Sequence, residues 1–201
     1  MPPDPLILAF DTSAAHCAAA LLSGGRLLSL RIEPMKRGQA ERLFPLLAAE
    51  LDRAGRGWGD LAALGVGTGP GNFTGIRIAV SAARGLALAR GIPAVGVSGF
   101  AALARAAGDG DWAVIPAPRD MAHVQDLRRP AAGPRQMPMA EARALPGRVL
   151  HQGDLPLAAR IEAVARIAAE GFADAPPRPA PLYVRPPDAA PASAPPPPML
   201  P

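Results

Sequence analysis

Gly69-Pro70-Gly71-Asn72-Phe73-Thr74-Gly75-Ile76-Arg77 stands between an apolar run, Leu61–Gly67, and a stretch suited to a helix, Ile76–Arg90. Strand, glycine-rich turn and helix in that order form a unit of a layered α/β fold. Glycines leave backbone N–H groups free to face outward, and a helix N-terminus adds partial positive charge, so such a loop can hold a phosphate. It is not a Walker loop, because no Gly-Lys-Ser/Thr follows, and its glycine spacing is not that of the dinucleotide fingerprint. The other reading is a tight turn in which glycine lets the backbone pack closely. The residues alone support both.

Upstream, Leu6-Ile7-Leu8-Ala9-Phe10 reads as a buried strand ending at the polar turn Asp11-Thr12-Ser13. Apolar runs at Cys17–Leu22 and Arg26–Ile32 flank Gly24-Gly25, a hairpin signal, so the chain opens on a three-strand meander. A helix is predicted from about Gln39 to Ala54, with Leu43, Phe44, Leu47 and Leu51 at three- and four-residue spacing. Pro45 must lie in its first turn or bend it.

Downstream, Ile92–Val97 is a strand, and Ser98 caps a third helix through about Ala106. Trp112–Ile115 and Ala122–Leu127 suit paired strands, and Pro156–Gly171 is an amphipathic helix carrying Ile161, Val164 and Ile167. Little pattern is visible between Arg128 and Leu150. From Ala175 onward lie 12 of the 26 prolines. The organisation read from this is a first lobe at 1–105, a shortened second lobe at 106–174, and a proline-rich extended arm and disordered tail at 175–201.

The 201 residues are 49% hydrophobic and 19% charged, which argues for a globular chain with a real core. The 21 basic and 17 acidic residues give +4, yet only Lys36 is lysine and the signs are mixed along the chain, so no stripe for gripping phosphates stands out. The single Cys17 excludes an internal disulfide and fits a reducing cytosol. The longest uncharged stretch, Leu61–Ile76, is short and glycine-rich, so no spanning helix and no membrane partner are expected. The start Met-Pro-Pro-Asp lacks the marks of a signal peptide, and a cytoplasmic location is expected.

Few residues carry obvious chemistry. Asp11-Thr12-Ser13 at the end of a strand can position a phosphate or its magnesium ion, or simply make an Asx turn. His16, His123 and His151 are far apart with no ligand spacing, so no metal site is expected. Cys17 lies within an apolar strand, and no serine has the Gly-x-Ser-x-Gly setting of a hydrolase. Arg77 and Arg84 lie seven apart on one helix face, placed to meet an acidic surface or solvent.

Three features together resemble the bacterial TsaB (YeaZ) family: the strand ending in Asp11-Thr12-Ser13, the glycine run ending in Ile76-Arg77, and Pro181-Leu182-Tyr183-Val184-Arg185-Pro186-Pro187. The resemblance covers mainly the first 105 residues. It implies an ASKHA (actin-like ATPase, ribonuclease-H-like) fold of two lobes and a part in making threonylcarbamoyladenosine in tRNA. In that family TsaB is a scaffold that binds a catalytic paralogue, TsaD, with the ATPase TsaE as a further component. TsaD-like catalysts carry Val-Asn-His-x-x-x-His where this chain has Val97-Ser98-Gly99-Phe100-Ala101-Ala102-Leu103. Glycine and leucine offer no side-chain ligand, so the metal pair is gone.

The resemblance implies a non-catalytic subunit, with tRNA met only through the complex and a homodimer when alone. Its partner surface is expected on the helices at 39–54 and 76–90, at Glu41, Arg42, Phe44, Leu46, Leu47, Arg77, Val80, Ala83 and Arg84. Asp11, Thr12, Ser13, Gly69, Gly71, Thr74 and Gly75 are a vestigial nucleotide loop, with nucleotide binding weak or lost and no cofactor required. The rival reading is an ATP-dependent, kinase-like phosphotransferase of the same fold.

Overall fold

Leu6–Asp11 (β1), His16–Ser23 (β2) and Arg26–Pro34 (β3) form an antiparallel meander turning at Gly24 and Gly25, as the apolar runs require. The computed structural model describes residues 4–184; of the proline-rich arm and disordered tail expected at 175–201, residues 185–201, with Arg185, Pro186 and Pro187, lie outside the described residues. Leu61–Gly67 (β4) lies parallel to β1, and Ala94–Val97 (β5) parallel to β4, giving a five-stranded sheet in the order β3-β2-β1-β4-β5.

The sheet is buried on both faces, which is why its central strands read as continuous apolar runs. Leu6, Leu8 and Phe10 share one core with Cys17, Leu21, Leu64 and Val66, covered by helices Gln39–Arg53 (α1) and Phe73–Arg90 (α2). The alternate residues Ile7, Ala9, Ala18 and Ala20 face the other way, into a core shared with helix Leu157–Gly171 (α5). Pro45 lies in the second turn of α1 on its exposed side. Helix α2 begins at Phe73, inside the glycine run, because Asn72 Oδ1 caps it by accepting from Gly75 N at 2.8 Å.

The second sheet holds Trp112–Ala117 (β6), Met121–Asp126 (β7), Arg135–Pro138 (β8) and Val149–His151 (β9), in the order β8-β7-β6-β9. Helix Gly99–Ala107 (α3), capped by Ser98 as expected, joins the sheets: Ala102 packs with the α5 core, and Phe100 and Leu103 pack with Ala113, Ile115 and Leu150. Helix Met139–Arg143 (α4) covers the outer face through Ala142. The segment without visible pattern thus contains β8, α4 and β9, elements of only three to five residues.

The boundary at 106–174 needs a correction. Helix α5 does not stay with the second sheet; its stripe Ile161, Val164 and Ala168 packs on the first sheet beside Ile7, Ala9 and Ala63. The first lobe is therefore a three-layer α/β/α sandwich closed by a helix from the end of the chain. The arm follows the same route. Leu182 N donates to Thr68 O at 2.8 Å, just past β4, while Leu182 and Val184 pack against the core around α3 and β6.

Candidate functional site

Two regions bring together the residues singled out in the sequence. At the carboxyl end of β1, Asp11 Oδ1 accepts from Ser13 N at 2.9 Å, Ser13 Oγ at 2.8 Å and His16 Nε2 at 2.8 Å. The first of these bonds is the Asx turn. Burial alone would raise the Asp11 carboxyl, but the bond and charge of His16 with the two Ser13 bonds outweigh it, holding the pKa below its ordinary value.

The glycine run is docked onto this turn. Asn72 N donates to Ser13 O at 2.6 Å, and the buried Thr12 hydroxyl donates to Gly75 O at 2.6 Å. A Cβ at Gly71 would run into Ser13 O, and one at Gly75 into Thr12 O, so both positions need glycine for close backbone approach. Gly69 takes the positive φ, 89°, and its carbonyl accepts from Gly99 N at 2.7 Å. Thr74 is exposed.

Arg160, from the first turn of α5, lines the cleft beside Asp11, Ser13, Gly69 and Gln152. Its Nε is buried with no hydrogen-bond partner among the described residues. Burial lowers its pKa, and the Asp11 charge opposes that. The cleft encloses only about 30 Å³, an order of magnitude below the roughly 300–1,000 Å³ of typical ligand pockets. The sequence showed no sign of Arg160, because a helical arginine enters this cleft only when α5 crosses back to the first sheet. Among the described residues, no three His, Cys, Asp or Glu side chains come together as a metal cluster would need.

The second region is the outer face of α1 and α2, where Ala40, Phe44, Ile78, Ser81, Gly85 and Leu86 line an open groove of about 440 Å³. Phe44 is 45% exposed at its edge, and Leu88, near the end of α2, is 82% exposed. Four of the expected partner residues are elsewhere. Leu46, Leu47, Val80 and Ala83 are at most 2% exposed in the protein's own core, so they present nothing to a partner. The apolar residues of α1 spread over more than one stripe because the sheet claims a broad face, not because a second protein does.

Arg42 is occupied too, donating to Glu33 from Nε at 2.6 Å and Nη2 at 2.8 Å; this pair holds the Glu33 carboxyl below its usual range. Glu41, Phe44, Arg77 and Arg84 remain on the surface. The groove residues Ile78, Ser81, Gly85 and Leu86 were missed, and the small side chains along α2 were their only visible sign.

At the start of α2, Arg77 is held by two aromatic rings. Its guanidinium lies 3.7 Å from the Phe73 ring centroid, and its Nε donates to the Tyr183 hydroxyl at 2.8 Å. Phe73 and Tyr183 stack at 5.1 Å. The arm thus touches the helix face as well as the second lobe. No helix among the described residues is long and apolar enough to cross a membrane.

The sheet order, the helices on both of its faces and the smaller second sheet define an ASKHA-type fold of two lobes. YeaZ from Pseudomonas aeruginosa matches 89% of this chain over 99% of its own, at TM-score 0.66 and 27% identity. A second Pseudomonas aeruginosa structure, described as similar to peptidase YEAZ, gives TM-score 0.68 and 28% identity over 90% of this chain and 100% of its own. In both fold and sequence the chain is similar to the TsaB/YeaZ proteins. It is 38% identical over 101 residues to the tRNA threonylcarbamoyladenosine biosynthesis protein TsaB of Escherichia coli, and 37% identical over 101 residues to that of Haemophilus influenzae. Those matches take in 50% of this chain but only 43% and 42% of the relatives, so the matched stretch spans less than half of their length. A family model for TsaD, tRNA N6-adenosine threonylcarbamoyltransferase, matches residues 33–117.

Proposed function

We propose that this protein is a non-catalytic subunit in tRNA threonylcarbamoyladenosine synthesis, and that its α1–α2 face docks a TsaD-like threonylcarbamoyltransferase. The observation that carries this reading is the open groove between α1 and α2, edged by exposed Phe44. Exposed apolar side chains at the edge of an open groove gain free energy when a partner covers them, which supports a docking role. Similarity to proteins named for this biosynthesis supports the pathway, and the TsaD family match at residues 33–117 supports kinship with the transferase.

The strand-end cluster supports the absence of catalysis. Asp11, Thr12 and Ser13 make hydrogen bonds within the protein itself, and Arg160 lines the small cleft beside Asp11 and Ser13. Nucleotide binding there is weak or lost, and no cofactor is needed. A TsaE-like ATPase joins the complex, tRNA is met through the partners, and the protein alone pairs with a second copy through the same face.

The test is a threonylcarbamoylation assay with each subunit omitted in turn, then with Gly85→Glu replacing the wild type. A Cβ at Gly85 meets nothing within 4 Å, so the substitution fills the groove without disturbing the fold. Modification should need this protein, and Gly85→Glu should abolish it. Full modification with Gly85→Glu, or ATP hydrolysis by the isolated protein that Asp11→Ala removes, would overturn the proposal.

A further inference from the structure

The exposed stripe of α2 has a charge pattern that specifies what lies against it. Phe73, Arg77, Ser81, Arg84 and Leu88 recur at three- and four-residue spacing, and all five are exposed. They therefore form one line along the outside of the helix, beside the groove. Neither Arg77 nor Arg84 has a carboxylate partner among the described residues, and α2 itself carries no acidic side chain to supply one. The two free guanidinium groups are seven residues apart, about 10 Å along the axis.

Arg77 is also held in place. The Phe73 ring and the Tyr183 hydroxyl fix its orientation while leaving its Nη atoms free of any hydrogen bond among the described residues. A guanidinium already ordered loses less side-chain entropy on pairing. The C-terminal arm thus acts on this face through Tyr183, a positioning residue.

We propose that the docking segment is an amphipathic helix of the transferase carrying two carboxylates one heptad apart, which pair with Arg77 and Arg84 while its apolar side fills the groove. This rests on the docking reading above and names the chemistry of its partner. A second copy of the chain fits less well. The acids on the exposed side of α1, Glu41 and Asp52, are eleven residues apart, about 16 Å, and do not match the arginine spacing.

The experiment measures association of the full chain with the transferase from the same source, at about 0.05 M and about 0.5 M salt. Arg77→Glu and Arg84→Glu should each slow association about tenfold at low salt, and the difference should shrink at high salt. Tyr183→Phe keeps the ring but drops the hydroxyl, and should slow it about twofold with an unchanged melting temperature. Hydrogen-exchange protection on the transferase should fall on a helix with two acids seven apart, and changing those acids to lysine should restore Arg84→Glu. Protection on a helix without such acids, or arginine reversals that bind like wild type while Gly85→Glu does not bind, would overturn the acidic helix and leave the docking reading standing. Normal binding by Gly85→Glu would instead overturn the docking reading. Self-association that depends on both arginines and persists in the presence of excess transferase would assign the face to a second copy and overturn the proposal.

Discussion

The end of β1 and the outer face of α1 and α2 both belong to the first sheet, and they differ in how their polar and apolar groups are satisfied. At the strand end, Asp11 accepts three hydrogen bonds, Thr12 and Ser13 are tied to the glycine run, and the remaining space is about 30 Å³. On the helix face, Phe44 and Leu88 are exposed, Arg77 and Arg84 lack carboxylate partners among the described residues, and the groove is about 440 Å³. At the strand end the Asp11-Thr12-Ser13 turn is tied to the protein itself, the buried Arg160 Nε is left unpaired and little space remains for a ligand, whereas exposed apolar surface and unpaired charge on the helix face gain free energy on binding. The motif that stands out most in the sequence is thus the closed region, and a stretch of small, plain residues is the open one.

The sharpest way to break this contrast is to put charge where the helix face meets its own sheet. Leu46→Asp or Ala83→Glu buries an unpaired carboxylate in the core and should prevent folding, with a cost on the order of 4 kcal/mol or more. Circular dichroism showing a native, cooperatively melting protein would return those residues to the surface. Next in size is Gly71→Val, which sets side-chain atoms against Ser13 O and should cost about 3 kcal/mol in chemical denaturation with no ligand present. If stability held while nucleotide affinity vanished, the glycine run would be a ligand loop after all.

Asp11→Asn keeps the shape of the turn but loses the charge that pairs with His16, and should cost about 1–2 kcal/mol at neutral pH. The pH dependence has a definite sign. The folded Asp11 pKa lies below its ordinary 3.8, so the ionised group stabilises the fold above that value, and its contribution is lost as pH falls through the lowered pKa. Denaturation curves of wild type and Asp11→Asn should therefore converge in acid; a gap that widens there would reverse the assignment. The smallest effect concerns Cys17. Burial, with Glu33 next, pushes its thiol up to about 11, so a thiol reagent should label it only on unfolding. Rapid labelling of the native protein would show that the α1 face opens.

How much of this could be read beforehand follows the range of the forces involved. The opening meander, the strand-turn-helix at Leu61–Arg90, the Ser98 cap and the apolar periodicity of α5 were legible from the sequence, because strand alternation, turn residues and caps act over a few neighbours. Helix periodicity also marks which residues are apolar, but it cannot say how wide a face the sheet will cover. Leu46, Leu47, Val80 and Ala83 went inward for that reason, and the groove was left to Ser81, Gly85 and their neighbours. Three features depend on residues far apart in the chain: Arg160 in the cleft with Asp11, the glycine run seated on Ser13, and Tyr183 on Arg77. They exist only because α5 and the arm return to the first sheet, and that return is driven by burial of both sheet faces, a property of the whole packed molecule that no local window of sequence contains.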